Sequence, residues 1–197
     1  MKRKVKIAVI TSACVLSMAL ASATAYFSDR DQQVNKITVG INTIEIQENF
    51  EKTKKIEPGS TIVKSPKVHV VEEDGAVDCY VRMSAEWADS AAEVCAQTQY
   101  VNGETTTAIN TTDWTEKQED GYYYYKKKLS PGETTTPLFT QIVVFGTASE
   151  EEIEEVYDFD MICYAESAQA YNATGDKYYD NYSSAWAYWN EKKEGLE

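Results

Sequence analysis

Apolar and polar residues alternate along most of the chain beyond its first few dozen positions. The alternation spans residues 77–83 and 157–165, while residues 138–145 are nearly continuously apolar. A period of two is typical of strands that bury one face, and turn sequences such as EPGST (57–61) separate the runs. The pattern therefore predicts an all-β fold, an antiparallel two-sheet sandwich that covers residues 36–197.

Two details refine this predicted sandwich. The phase of the apolar positions shifts between Ile41 and Ile44, which predicts a bulge or break at residues 42–43. The tyrosine-rich segment 120–133 is expected to form a strand between two turns, whereas the polar stretch 98–120 contributes no predicted strand.

Two short helices are expected among the strands. Ser149 and Glu152 have the S-x-x-E spacing of a capping box, which predicts a helix in SEEEIEEV. Near the end of the chain, Tyr182, Trp186 and Trp189 recur at helical spacing, so a second helix is expected to pack its aromatic face on the sandwich. An exposed carbohydrate-binding platform is the alternative role for these aromatic side chains.

The first 25 residues carry the three parts of an export signal. Basic residues come first, residues 7–20 form an uncharged and mostly apolar run, and small residues follow. Ala23 and Ala25 provide an A-x-A site, so a signal peptidase is expected to cut before Tyr26 and remove residues 1–25. Neighbouring alanines form further A-x-A sites, so the cleavage position is defined to within a few residues. An uncleaved membrane anchor is the alternative interpretation.

Composition excludes several classes of function. The 197 residues include 19 Lys and Arg, 32 Asp and Glu and one His, for a formal net charge of −13. A nucleic-acid-binding protein needs basic surface to neutralise phosphates, so nucleic acid is not an expected partner. The single His, His69, excludes catalytic triads and two-His zinc sites, and it falls on the opposite strand face from Val68 and Val70. The sequence predicts no cofactor and no metal site.

Three cysteines remain after the expected cleavage. Cys79 and Cys163 both fall on the inward-facing phase of their predicted strands. They are interpreted either as a buried thiol pair or disulfide, or, with more weight, as two small core residues. Cys95 is left over in either case and would link subunits only if it were exposed.

The order of several segments along the chain carries a further signal. The segments are ATAYFSDRD (23–31), NKITVGINTIEIQE (35–48), EPGSTIVKSPKV (57–68), DCYVRM (78–83), DGYYYYKKKLSPGETTTPLF (120–139) and YAESAQAY (164–171), followed by an end that contains tryptophan. This ordered combination resembles the TasA/camelysin family, exported proteins of Gram-positive bacteria that a dedicated signal peptidase processes. The resemblance covers nearly the whole chain, and residues 86–118 contribute nothing to it.

The resemblance implies a jelly-roll-like sandwich that serves as a secreted subunit of biofilm-matrix fibres. Fibres of the family assemble by donor-strand complementation, in which the freed N-terminal segment of one subunit adds a strand to the next. The corresponding donor here is the segment 26–35, with Tyr26 and Phe27 as apolar anchors and Asp29 and Asp31 in its polar part. The implied partners are further copies of this chain, related matrix subunits and, during export, a signal peptidase. The implied location is the extracellular matrix or the cell surface.

Two other functions compete with the fibre subunit. Camelysin is classed as a metalloprotease, but this chain lacks the H-E-x-x-H motif and has His69 as its single histidine. We therefore expect no enzymatic activity. A monomeric exported adhesin or binding module would have the same sandwich, and only the role of the N-terminal segment would differ.

Overall fold

Strands form most of the regular structure in the computed structural model, which describes residues 38–39, 42–48, 56–156 and 158–194. The described strands are β1 (Thr38–Val39), β2 (Ile44–Gln47), β3 (Thr61–Val63), β4 (Lys67–Val70), β5 (Cys79–Trp87), β6 (Ala96–Asn102), β7 (Thr105–Thr107), β8 (Tyr123–Tyr124), β9 (Gln141–Val144) and β10 (Met161–Gln169). The described helices are a 3₁₀ helix (Ser90–Val94), α1 (Glu150–Glu155) and α2 (Tyr182–Glu194). The predicted all-β class is confirmed.

Three sheets, and not the two that the alternation predicted, make up the described fold. The first has the strand order β1-β10-β5-β8, the second pairs β2 with β4, and the third has the order β3-β9-β6-β7. Strands β5 and β10 are antiparallel along their full lengths, from the pair Cys79–Gln169 to the pair Trp87–Met161. This long ladder is the centre of the first sheet, and it positions the residues discussed below.

One strand pair departs from the expected antiparallel arrangement. Thr38 and Val39 of β1 pair in parallel with Ser167 and Ala168 of β10. The expectation of a wholly antiparallel sandwich is therefore wrong at this edge. The reason is that a two-residue strand carries no periodic signal, and the direction in which it meets a distant strand is set by tertiary structure.

The predicted break at residues 42–43 is confirmed. Asn42 and Thr43 lie outside β2, and the Asn42 side chain bonds both backbone groups of Val77: its Nδ2 donates to the carbonyl at 2.8 Å and its Oδ1 accepts from the amide at 2.9 Å. A buried side-chain amide thus replaces backbone pairing where the chain changes direction.

One buried cluster draws apolar side chains from all three sheets. It contains Val81 and Met83 of β5, Val70 of β4, and Ile142 and Val144 of β9, each with no exposed surface. Full burial of one such side chain stabilises the fold by roughly 1.5–3 kcal/mol. The inward phase that the alternating pattern predicted for β5 is therefore confirmed.

A second buried cluster lies on the opposite face of the first sheet. Helix α2 covers this face with Trp186 and Trp189, which are only 5% and 8% exposed, against Tyr80 of β5 and Ala168 of β10. The predicted packing of the aromatic helix is confirmed, and the alternative of an exposed aromatic platform is wrong for these two tryptophans. No helix in the described ranges is both long enough and apolar enough to cross a bilayer.

The first helix forms as its capping signal predicts. The Ser149 hydroxyl accepts from the Glu152 amide at 3.2 Å, and a Glu152 carboxylate oxygen accepts from the Ser149 amide at 2.8 Å. These reciprocal bonds satisfy two of the backbone donors that the start of a helix leaves unpaired.

Several strands differ from the predicted ones. The polar stretch 98–120 contributes most of the β6–β7 hairpin, whose turn contains Gly103 at a φ of 62°. Within 120–133 only Tyr123–Tyr124 is a strand, and residues 125 and 129 add isolated bridges. Strand β9 starts at Gln141, and not at Leu138, because the backbone groups of Leu138 and Thr140 each form single hydrogen bonds with different segments of the chain. Composition could not separate such single bridges from a continuous ladder.

Candidate functional site

The outer edge of β10 is the most distinctive feature of the first sheet. Its inner edge pairs with β5 over nine residues, whereas the described residues of β1 pair with its outer edge at Ser167 and Ala168. Within the described residues, the outer edge from Met161 to Glu166 has no strand partner. Strand β2 lies close to β10 without pairing with it, and an edge that has no strand partner presents backbone donors and acceptors on which a further strand can pair.

An apolar side chain marks this uncovered stretch. Ile162 is 57% exposed, although it lies in a strand whose neighbours Met161 and Cys163 are buried. Beside it on the same face, the Tyr164 hydroxyl donates to a carboxylate oxygen of Glu166 at 3.2 Å. Burial and then the Glu166 charge raise the pKa of Tyr164 to about 12, so this phenol stays neutral at physiological pH.

A buried ionic cluster links β10 to β5 and to helix α2, which covers this face of the sheet. The Arg82 guanidinium contacts the Glu166 carboxylate through two nitrogens, with Nε at 2.7 Å, and donates to the Tyr124 hydroxyl at 2.9 Å. Its central carbon also lies over two aromatic rings, 4.1 Å from the ring centre of Tyr122 and 4.2 Å from that of Trp186. Cation–π contacts of this kind are strongest where water is excluded. The cluster thus joins β5, β10 and α2 at one point.

The sequence pattern did not predict this cluster. Arg82 and Tyr80 fall on the phase opposite the core, so the alternation assigned them to a polar face. They are 6% and 2% exposed because α2 covers that face. The one signal was the charge of Arg82, on the same phase as Asp78 and Tyr80, and a charge by itself is more often a sign of solvent exposure.

The predicted cleavage and donor residues lie outside the described residues. These are Ala23, Ala25, Tyr26, Phe27, Asp29 and Asp31. The first residues that the structure describes form the short strand β1, which pairs with the outer edge of β10.

The three described cysteines are free and buried. In the β5–β10 ladder Cys79 is opposite Gln169, and Cys163 is opposite Ala85. Six register positions therefore separate Cys79 from Cys163, a span of about 20 Å at the usual rise of about 3.3 Å per strand residue. A disulfide needs Cα atoms within about 7 Å, so the thiol pair that was one interpretation is not formed. Cys95 is fully buried and presents no thiol for a link between subunits.

His69 makes a local contact on its strand. Its Nδ1 lies 2.9 Å from the Thr134 hydroxyl oxygen, and Glu45 is its cross-strand neighbour in β2. Among the residues that the structure describes, no three His, Cys, Asp or Glu side chains are grouped so that they could hold a metal ion.

A shallow pocket of about 520 Å³ lies beside the start of α2. Its lining includes Lys177, Tyr179, Tyr188 and Glu191. The Lys177 ammonium is 5.1 Å from the Tyr179 ring centre, and the rings of Tyr179 and Tyr188 are 5.5 Å apart. The pocket combines aromatic surface with both signs of charge.

A family model described as camelysin metallo-endopeptidase matches residues 1–116. No curated protein and no solved structure matches the chain significantly.

Proposed function

The chain belongs to the TasA/camelysin family, and from this premise we propose that it is an exported structural protein that assembles into extracellular matrix fibres. A signal peptidase removes residues 1–25, and the freed segment 26–35 adds as a strand to the next subunit. The sandwich that receives it is of the jelly-roll type. Signal-peptide cleavage thereby controls assembly, because an attached signal peptide keeps the donor segment at the membrane.

The uncovered outer edge of β10 is the observation that carries this proposal. A strand added there gains main-chain hydrogen bonds along Met161 to Glu166, next to the two residues already paired with β1. The exposed Ile162 offers an apolar contact for Tyr26 or Phe27 of the incoming segment. Edges of this kind are normally blocked by charges, proline or a covering element, because they promote association.

The geometry of such an exchange explains why a fibre would form. The donor segment and the acceptor edge are different surfaces of the same chain, so every subunit can both give and receive a strand. A head-to-tail contact of this kind grows without limit unless the rotation between subunits closes a ring. The excess of acidic residues keeps unassembled subunits soluble.

Removal of the donor segment tests the proposal. Protein that begins at Tyr26 is compared with protein that lacks residues 26–35, by size-exclusion chromatography and negative-stain electron microscopy. The proposal predicts filaments from the first and monomers from the second. Stable monomers from both would contradict it, and filaments from both would exclude the segment as the donor.

A monomeric binding module is the second candidate. The pocket beside α2, with Lys177, Tyr179, Tyr188 and Glu191, favours it, because aromatic rings beside polar groups suit carbohydrate or peptide ligands. Binding of soluble polysaccharides to the monomeric protein would favour this function, and Tyr188→Ala should then weaken that binding.

We propose a structural role in preference to a proteolytic one. The family description names a metallo-endopeptidase, yet the single histidine of this chain bonds Thr134 on the strand surface. A casein-cleavage assay with and without a chelator tests this choice. Chelator-sensitive cleavage by pure protein, lost in His69→Ala, would overturn it.

A further inference from the structure

Lys64 is the one lysine among the fully buried side chains of the described residues. Its Nζ lies 2.6 Å from Oδ1 of Asp160 and 2.8 Å from Oε2 of Glu48, and the residue is 1% exposed. The two carboxylates are more accessible, with side-chain exposures of 35% for Asp160 and 27% for Glu48. An amine and a carboxylate are thus held in contact at the boundary between core and solvent.

The fold brings these three residues together from distant parts of the sequence. Lys64 follows β3 on the same phase as the buried Ile62, so its side chain points inward. Glu48 directly follows β2, and Asp160 directly precedes β10. The thiol of Cys163 lies close enough to be affected by all three charges. Three strand ends therefore meet at the Lys64 ammonium.

The arrangement is costly as an ion cluster. Burial disfavours the ammonium, but hydrogen bonds and charge from Asp160 and Glu48 outweigh it, so the pKa of Lys64 is raised and the charged form is the resting state. Removing such charges from water is costly, and their mutual attraction repays the cost only in part. Condensation of the amine with one carboxylate would replace two of the charges with a neutral amide.

We propose that Lys64 and Asp160 form an intramolecular isopeptide bond, with Glu48 as the proton carrier. Glu48 accepts a proton from the ammonium, and the freed Nζ lone pair attacks Cγ of Asp160. Glu48 passes that proton to a carboxyl oxygen of Asp160 and then carries a second proton from the nitrogen of the tetrahedral adduct to the same oxygen, whose bond to Cγ breaks. Two of the three ammonium protons leave with that oxygen as water, and the third stays on the amide nitrogen. The step needs no oxidant, reductant or cofactor.

Enforced proximity is the driving factor. Groups held in reactive contact behave as if present at effective molarities of about 10⁵–10⁸ M, which suits a slow reaction that occurs once per molecule. The partial exposure of Asp160 gives the released water a path to solvent. Glu48 is positioned for general acid–base work because it contacts the same nitrogen from a separate strand end.

A second lysine–aspartate pair provides the matched comparison. Lys127 Nζ also lies 2.6 Å from an oxygen of Asp113, but the Lys127 side chain is 63% exposed. Water therefore solvates its ammonium, and among the described residues Asp113 is the carboxylate that pairs with it. The two pairs have the same nitrogen–oxygen distance but differ in the burial of the lysine. A bond that forms at Lys64 and not at Lys127 would therefore depend on burial and on Glu48, and not on contact alone.

The bond would tie the connection after β3 to the start of β10. It closes a covalent loop from residue 64 to residue 160, which includes β5 and β9. Force applied to β10 through an added strand would then be carried partly by covalent structure. The bond itself does not depend on fibre assembly, so either proposal can fail while the other stands.

Mass spectrometry of the purified, processed protein tests the bond. The intact mass is expected to be one water molecule below that of the sequence. Because trypsin does not cut after an acylated lysine, digestion should yield a branched peptide that joins residues 56–67 to residues 129–177. An intact mass equal to the sequence, with complete cleavage after Lys64, would overturn the proposal without any variant.

Three variants identify the groups. Lys64→Arg and Asp160→Ala should each restore the full mass and abolish the branched peptide. Glu48→Gln keeps both reacting groups and should slow or stop bond formation in otherwise folded protein. Lys127→Ala is the control and should leave the bond intact. A branched peptide that survives Lys64→Arg would refute the assignment, and normal bond formation in Glu48→Gln would remove Glu48 from the step.

Discussion

The guanidinium of Arg82 lies 4.2 Å from the ring centre of Trp186, so the charged residue at the middle of β5 also anchors helix α2. The same guanidinium contacts Glu166 of β10. A single side chain therefore connects the central ladder of the first sheet to its helical cover. Its loss should affect the strand pairing and the helix together.

Arg82→Met should destabilise the domain strongly. It removes the guanidinium that pairs with the buried Glu166 carboxylate, and breaking a buried pair in this way costs about 3–5 kcal/mol. Urea unfolding followed by tryptophan fluorescence measures the change, because Trp186 reports the docking of α2. Lys117→Met removes the exposed contact with Glu86 and is the control, with an expected effect of about 1 kcal/mol or less. Equal effects of the two variants would contradict the anchoring role.

Ile162→Glu should abolish fibre formation while the subunit stays folded. The side chain is 57% exposed, so a charge there costs little stability but opposes the seating of an apolar strand on β10. Val101→Glu is the matched control, because Val101 is a 38% exposed residue of the β6–β7 hairpin, in another sheet. Electron microscopy and thermal unfolding separate assembly from stability. Normal fibres from Ile162→Glu would exclude this edge as the acceptor.

Asp113 should make the stability of the domain sensitive to acid. Burial raises the pKa of its carboxyl, but hydrogen bonds from Lys127 and Thr136 outweigh burial, and the pKa is lowered in the folded state. The stabilisation is present above the unfolded pKa of about 3.9 and is lost as the pH falls through the folded value. The difference in unfolding free energy between wild type and Asp113→Asn should therefore narrow at low pH. A constant difference would contradict this assignment.

The buried cysteines should be unreactive until the domain unfolds. Burial raises the pKa of Cys79 to about 12 and raises that of Cys163 strongly, so little thiolate forms at neutral pH. Iodoacetamide should leave protein that begins at Tyr26 unmodified and should alkylate three thiols in denaturant. Reducing agents should not change its melting temperature. A thiol count below three in the denatured protein would reveal a disulfide.

Local signals in the sequence predicted the parts of the fold that depend on neighbouring residues. The Ser149 and Glu152 spacing predicted α1, and the spacing of Trp186 and Trp189 predicted the packed face of α2. These features rest on contacts within one or two helical turns, which the sequence displays directly.

The uncovered edge and the buried charges could not be predicted in the same way. The parallel pairing of Thr38 with Ser167 joins residues far apart in the chain, and two residues have no periodicity. Lys64 and Arg82 are charged, so composition favours solvent exposure for both, yet carboxylates from distant parts of the sequence pair with them in the folded chain. Burial of a charge depends on partners that only the tertiary structure brings together.

A mixing experiment tests donor-strand assembly most directly. The Ile162→Glu subunit keeps the donor segment but has a blocked acceptor edge, whereas the subunit without residues 26–35 keeps the edge but has no donor. Multi-angle light scattering of the mixture should show a complex of one copy of each that does not extend, and each variant alone should be monomeric. A mixture that stays monomeric would contradict assembly by strand addition at β10.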